Sequence, residues 1–106
     1  MNLSAFIQVF DANIMEDDLQ KDTEDGLLGR ARNSVNVLAF SRNIPLLELR
    51  DFLESLLHEW PAMQGELERR SEVIWSNPPE RKVLLHKLVC EAQRHVENLI
   101  ARESPA

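Results

Sequence analysis

One cysteine, three glycines and no long apolar run leave few fold classes open to this chain. Cys90 alone cannot form an intrachain disulfide, and a lone thiol fits a reducing compartment, so a cytoplasmic setting is expected. Gly26, Gly29 and Gly65 are too few and too unevenly placed for the turns of a β-sandwich or barrel. No apolar stretch approaches the ~20 residues of a membrane span. The N-terminus lacks the basic flank of a secretory signal, and Asp11 cuts its apolar stretch short. No membrane partner is expected.

A basic surplus is missing too. Eighteen acids against twelve bases give a net charge of −6, a poor balance for a chain that grips phosphates, so nucleic acid is not an expected partner. Catalytic signatures are absent. There is no P-loop, no G-x-G-x-x-G turn, no H-E-x-x-H helix and no G-x-S-x-G elbow. His86 and Cys90, four apart, offer two metal ligands where a structural zinc needs four. Cys90 with His86 as base lacks an orienting third group and a loop-built cleft. Neither a cofactor nor a metal is expected, and the chain does not read as an enzyme.

What is present is an ordinary globular balance, 43% hydrophobic and 28% charged over 106 residues, which fits one domain over residues 1–106. The apolar residues recur with helical spacing. Leu3, Phe6, Ile7, Phe10 and Ile14 make one face of a first helix, with Asn2 or Ser4 as its cap. Leu27, Leu28, Ala31, Val35 and Leu38 make the stripe of a second, from about Glu24 to Arg42. The alternation of Val35, Val37 and Ala39 leaves a short strand over 34–40 as the alternative. Asn43-Ile44-Pro45 ends this element, and Pro45 suits the first turn of the next helix. That helix carries the clearest amphipathic arc, Leu46, Leu49, Phe52, Leu53, Leu56, Leu57 and Trp60.

Pro61 demands a break or kink, followed by a mostly polar helix to about Trp75. Asn77-Pro78-Pro79-Glu80 reads as a capping box, opening a long last helix over about 78–102. Its Leu85, Val89, Ala92, Val96 and Leu99 follow the 4-3-4-3 spacing of a bundle or coiled-coil seam. A frayed tail is expected at 103–106. The fold class is all-α, a small bundle of four to five helices.

Charge is concentrated. Residues 11–25 hold seven acids and one base, which is the whole net charge; the remainder balances at eleven and eleven. Residues 16–25 read as an acidic connector. As an EF-hand the segment fails, because Lys21 and Arg32 fall where carboxylates must ligate. Glu16, Asp17, Asp18, Asp22, Glu24 and Asp25 are the candidate docking strip for a basic partner, with a solvated helix end the plainer alternative. A helix-turn-helix reading of Gly29 to Arg42 would set its arginines beside this strip, which repels phosphate.

Some apolar residues sit off the stripes. Val37, Phe40, Leu47 and Trp75 are the candidate partner-binding surface, and Val83, Leu84, Cys90 and Ala101 a candidate dimer strip on the last helix. The plainer explanation is burial on two sides of a small bundle. The function expected is non-catalytic: a protein-binding adaptor or antagonist that masks a hydrophobic surface, of the kind small anti-activators of transcription regulators provide, and a homodimer in its own right. A purely structural homodimeric subunit and a nucleic-acid binder are the alternatives.

Overall fold

The computed structural model describes residues 1–103 and is all-α, with no strand among them. Six α-helices follow in order: α1 (Leu3–Asn13), α2 (Glu16–Lys21), α3 (Glu24–Asn36), α4 (Leu46–His58), α5 (Trp60–Arg70) and α6 (Glu80–Glu103). A π-helical turn, Val37–Ser41, continues α3. The question of strand or helix at 34–40 is thus resolved as helix. The last helix is long, as its seam requires, at 24 residues or about 36 Å.

Each boundary has a local cause. Asn2 caps α1, its Oδ1 accepting from Ala5 N–H at 2.8 Å. Thr23 caps α3, its Oγ1 accepting from Gly26 N–H at 3.0 Å. A Cβ on Gly26 would meet the Asp22 carboxylate, which would have to turn away from its place beside Thr23 and Arg30. The π turn closes with Arg42 N–H on the Val37 carbonyl at 3.0 Å. Asn43 then takes φ 56°, and Ile44 N–H reaches back to the Leu38 carbonyl at 3.0 Å. That is the left-handed stop expected of an asparagine.

α6 is the spine. It packs along α3 on one flank and α4 on another, burying Leu85, Leu88, Val89, Ala92 and Val96 inside the chain. The seam that could have paired two copies is therefore occupied within one. α1 packs on the bundle rather than swinging free. Its Phe6 ring lies 5.4 Å from Phe52 of α4 and 5.3 Å from Phe10, and Phe10 lies 6.3 Å from Trp75. This aromatic row joins α1, α4 and the segment before α6.

Three expectations change. The acidic connector is instead a helix over Glu16–Lys21, started by the Asp18 carboxylate, which accepts from Met15 N–H at 2.9 Å. α5 stops at Arg70, not near Trp75, because Asp11 of α1 captures the chain there. Its carboxylate accepts from the Ser71 hydroxyl at 2.5 Å and from Glu72 N–H at 2.9 Å. The box at Asn77 does not form. The Asn77–Pro78 peptide is cis and α6 begins at Glu80, with Arg81 and Lys82 N–H bonded to the carbonyls of Pro78 and Pro79. The helix runs on through Glu103; the rest of the expected frayed tail, 104–106, lies outside the described residues.

Candidate functional site

The proposed partner surface divides in the structure. Phe40, in the π turn, and Leu47, in the first turn of α4, are 59% and 55% exposed. Val37 is half-buried against the core. Trp75 is a correction: it is 2% exposed and belongs to the interior. The reason is the early end of α5. Off a helix, residues 71–79 fold back over α1, and the indole enters the core beside Phe10. Its Nε1–H finds an acceptor in Ser71 Oγ at 3.2 Å. That hydroxyl also accepts from Val73 N–H at 3.1 Å while donating to Asp11, so its donor and both lone pairs are used. A helical wheel drawn through Trp75 misplaces it because the helix has already stopped.

The dimer strip is equally uneven. Val83 is 62% exposed and Ala101 is exposed, whereas Leu84 and Cys90 are half-buried. Cys90 Sγ lies 3.7 Å from the His86 ring, and that ring packs tilted against Trp60 with centroids 5.1 Å apart. Burial pushes the Cys90 thiol above its ordinary value, which disfavours the thiolate a nucleophile needs. No group of three or more His, Cys, Asp or Glu side chains among the described residues is arranged to hold a metal. None of the helices is long and apolar enough to cross a membrane.

Most of the acidic strip is engaged within the chain. Glu16 Oε1 accepts from Arg81 at 2.5 Å and Oε2 from Ile74 N–H at 3.3 Å, while Arg81 also donates to the Ile74 carbonyl at 2.7 Å. The pair thus clamps both sides of residue 74. The Arg81 hydrogen bond holds the Glu16 carboxyl below its usual range. Asp18 and Asp22 share Arg30 at 3.3 and 3.0 Å, and that same guanidinium lowers Asp22. Glu24 meets Lys87 of α6 at 3.0 Å, and Asp17 meets Lys21 at 3.6 Å. Asp25 is exposed in the first turn of α3.

Two of the three arginines of the helix-turn-helix reading are also taken up, while the third, Arg42, is exposed. Arg30 serves α2. Arg32 donates to the buried Glu91 of α6 at 2.6 Å, and Arg94 reaches the same carboxylate at 2.7 Å. Burial alone would raise Glu91, but hydrogen bonds from Arg94 and Arg32 outweigh it and hold the group low.

Sequence reasoning missed a groove. It opens where α2, the start of α3 and the first turns of α6 converge, with a volume of about 740 Å³. Leu19, Leu27, Leu84, Val83 and Pro78 supply its apolar wall. Asp22, Glu24 and Glu80 stand at its edge, with Lys87 and Arg81 the lining cations. Leu27 was legible only as a core stripe, and Leu19 sat inside what read as a connector. Nothing in either spacing announces that elements 60 residues apart in sequence share a wall. Two further apolar residues, Met15 and Ile74, are also exposed, at 55% and 58%. No protein-family model, curated protein or solved structure matches the chain.

Proposed function

We propose that this protein is a non-catalytic protein-binding regulator, an adaptor or antagonist that covers an apolar surface of a partner. One observation carries the reading. Met15, Phe40, Leu47, Ile74 and Val83 each keep more than half of their surface in water, although the chain has a filled core of twenty apolar residues. Large apolar side chains held outside a complete core are the usual material of an interface centre. Support also comes from chemistry. Burial shifts the lone thiol's pKa upward, away from the thiolate a nucleophile needs. Arg30 and Arg32, two of the three arginines of the nucleic-acid reading, are spent on carboxylates of the same chain. Masking a surface that the partner uses for its own assembly, as small helical anti-activators do, is the finer form of the proposal and rests on size and class alone.

The test is capture of partners from the native cell by the intact chain and by a Phe40→Ser/Leu47→Ser variant. Both positions are exposed, so the variant keeps the wild-type circular dichroism. The expected result is a specific partner lost by the variant. A capture profile unchanged by this variant and by Val83→Lys would overturn the reading.

A homodimeric subunit is the second reading, favoured by the exposed Val83 and Ala101 on α6. Sedimentation decides it: a stable dimer abolished by Val83→Lys supports a subunit, and a monomer at all concentrations removes it.

A further inference from the structure

The groove between α2, α3 and α6 differs from the exposed residues elsewhere in having both shape and charge. Its floor is aliphatic, from Leu19, Leu27 and Leu84, with Val83 standing at the open side. Its volume of about 740 Å³ is in the range of pockets that bury several apolar groups. Its charge and the all-helical fold around it limit what fits.

Asp22, Glu24 and Glu80 border the opening, and Asp17, Asp18 and Asp25 lie on the same two helices. Of the two lining cations, Arg81 is nine-tenths buried and turned to Glu16 and the Ile74 carbonyl. Lys87 and Glu24 are paired with each other at 3.0 Å, and Arg30 is shared by Asp22 and Asp18. The acidic surplus at the opening comes from that two-to-one sharing and from Glu80 and Asp25, which are in no ion pair among the described residues. The segment 11–25, which supplies Asp22 and Glu24 to this rim, has a net charge of −6, and the cations that meet it from outside, Arg30, Arg81 and Lys87, leave it acidic. An occupant with cationic flanks is attracted and one with acidic flanks repelled.

The described residues contain no strand, so no sheet edge is offered for an extended peptide to join. A cleft between helices receives apolar side chains spaced along one face of another helix.

We infer that the α2–α3–α6 groove is a docking site for a basic amphipathic helix of a partner protein, with aliphatic anchors in the Leu19–Leu27–Leu84 floor and Lys or Arg beside Asp22, Glu24 and Glu80. This rests on the protein-binding reading and names the partner's chemistry.

The test titrates the intact ¹⁵N-labelled protein with a synthetic helix bearing leucines at i, i+3, i+4 and i+7 and lysines on its flanks. One control scrambles its order; another replaces the lysines with glutamates. Saturable shifts at the amides of Leu19, Leu27, Val83 and Leu84 are expected. Scrambling, charge reversal or the exposed-site variant Val83→Lys should each weaken binding by at least about tenfold. Added salt should weaken it as well. Equal binding of the acidic or scrambled peptide overturns the proposal. So does an absence of saturation, a set of shifts confined to Phe40 and Leu47, or filling of the groove by a small apolar compound while the peptide does not bind. If the peptide fails while partner capture still depends on Phe40 and Leu47, only the groove assignment falls. If capture fails as well, the protein-binding reading falls with it.

Discussion

The two ends of α6 are held by different chemistry. From Leu85 to Val96 it is fixed by apolar burial against α3 and α4. At its first turn it is fixed by a guanidinium, a carboxylate and one peptide group: Arg81, Glu16 and residue 74. The first kind of contact is non-directional and continuous along the helix. The second is directional and local, so it ties one loop at one point. The comparison teaches that this molecule has a greasy spine and a polar-stitched edge. The stitched edge, α2 with residues 71–79, borders the groove.

The sharpest way to break this comparison is through Trp75, which belongs by sequence to the stitched loop and by burial to the spine. Trp75→Ala removes a fully enclosed indole and should cost about 3–5 kcal/mol in urea denaturation. A loss below about 1 kcal/mol, the range of a surface change, would return Trp75 to the surface and undo the correction. Leu88→Ala, with no exposed surface, comes next at about 2–5 kcal/mol. It should lower the whole transition without splitting it. A split transition would mean that the spine is not one cooperative unit.

These two residues also show what the sequence could and could not reveal. Leu88 and its neighbours Leu85, Val89, Ala92 and Val96 announce themselves, because helical burial repeats every three or four residues. The all-α class and the long last helix follow from that repeat. Trp75 could not be placed, because its burial depends on where α5 ends. That end is set by Asp11, sixty residues earlier, through Ser71 and Glu72. Glu16 and Arg81 are sixty-five residues apart. Pairings between distant polar residues obey no periodicity, so a segment rich in acids reads as a solvated connector even when most of its carboxylates have a donor within the chain. The exposure of Phe40 and Leu47 was legible for the complementary reason: both depart from an otherwise regular stripe.

Arg81→Met tests the stitched edge directly. It leaves Glu16 and the Ile74 carbonyl without their cation and should cost about 1–3 kcal/mol. The loss should be local. Amide exchange should quicken across residues 71–79 while the amides of Leu88 to Val96 keep their protection. Equal loss of protection in both regions would show that the edge and the spine are one structure.

Acid should separate the regions in two steps. His95 sits between α3 and α6, its Nε2 2.8 Å from Asn36 Oδ1. Burial, then Arg32 and Arg102, hold its pKa below the ordinary 6.5, against the pull of Glu91. The unfolded chain therefore takes this proton first. Stability from the neutral ring is complete above pH 6.5 and declines as pH falls through that value toward the folded pKa. Glu16 and Glu91 are also lowered in the folded state, so their contributions are present above their ordinary 4.5 and fade below it. Urea midpoints should be flat just above neutrality, decline below pH 6.5, and decline again below 4.5; on the alkaline side the buried Cys90 thiol, raised above 9.0, makes them fall once the unfolded thiol ionises. His95→Gln should remove the upper step and leave the lower. An upper step that survives the substitution would assign it to another group.

The smallest expected effect is the one on which the functional reading depends most. Val83 and Leu85 are two residues apart on α6, one 62% exposed and the other 1%. Val83→Ser changes a side chain that already stands mostly in water, so stability should move by no more than about 0.5 kcal/mol. Leu85→Ser at the same depth along the helix inserts a hydroxyl into the core and opens a cavity, with a loss of several-fold that size. Spare apolar surface can be given to a partner only if the fold does not need it. A Val83→Ser loss above about 1 kcal/mol would show that the fold needs Val83, and the wall of the groove would then be part of the core rather than a place for another helix.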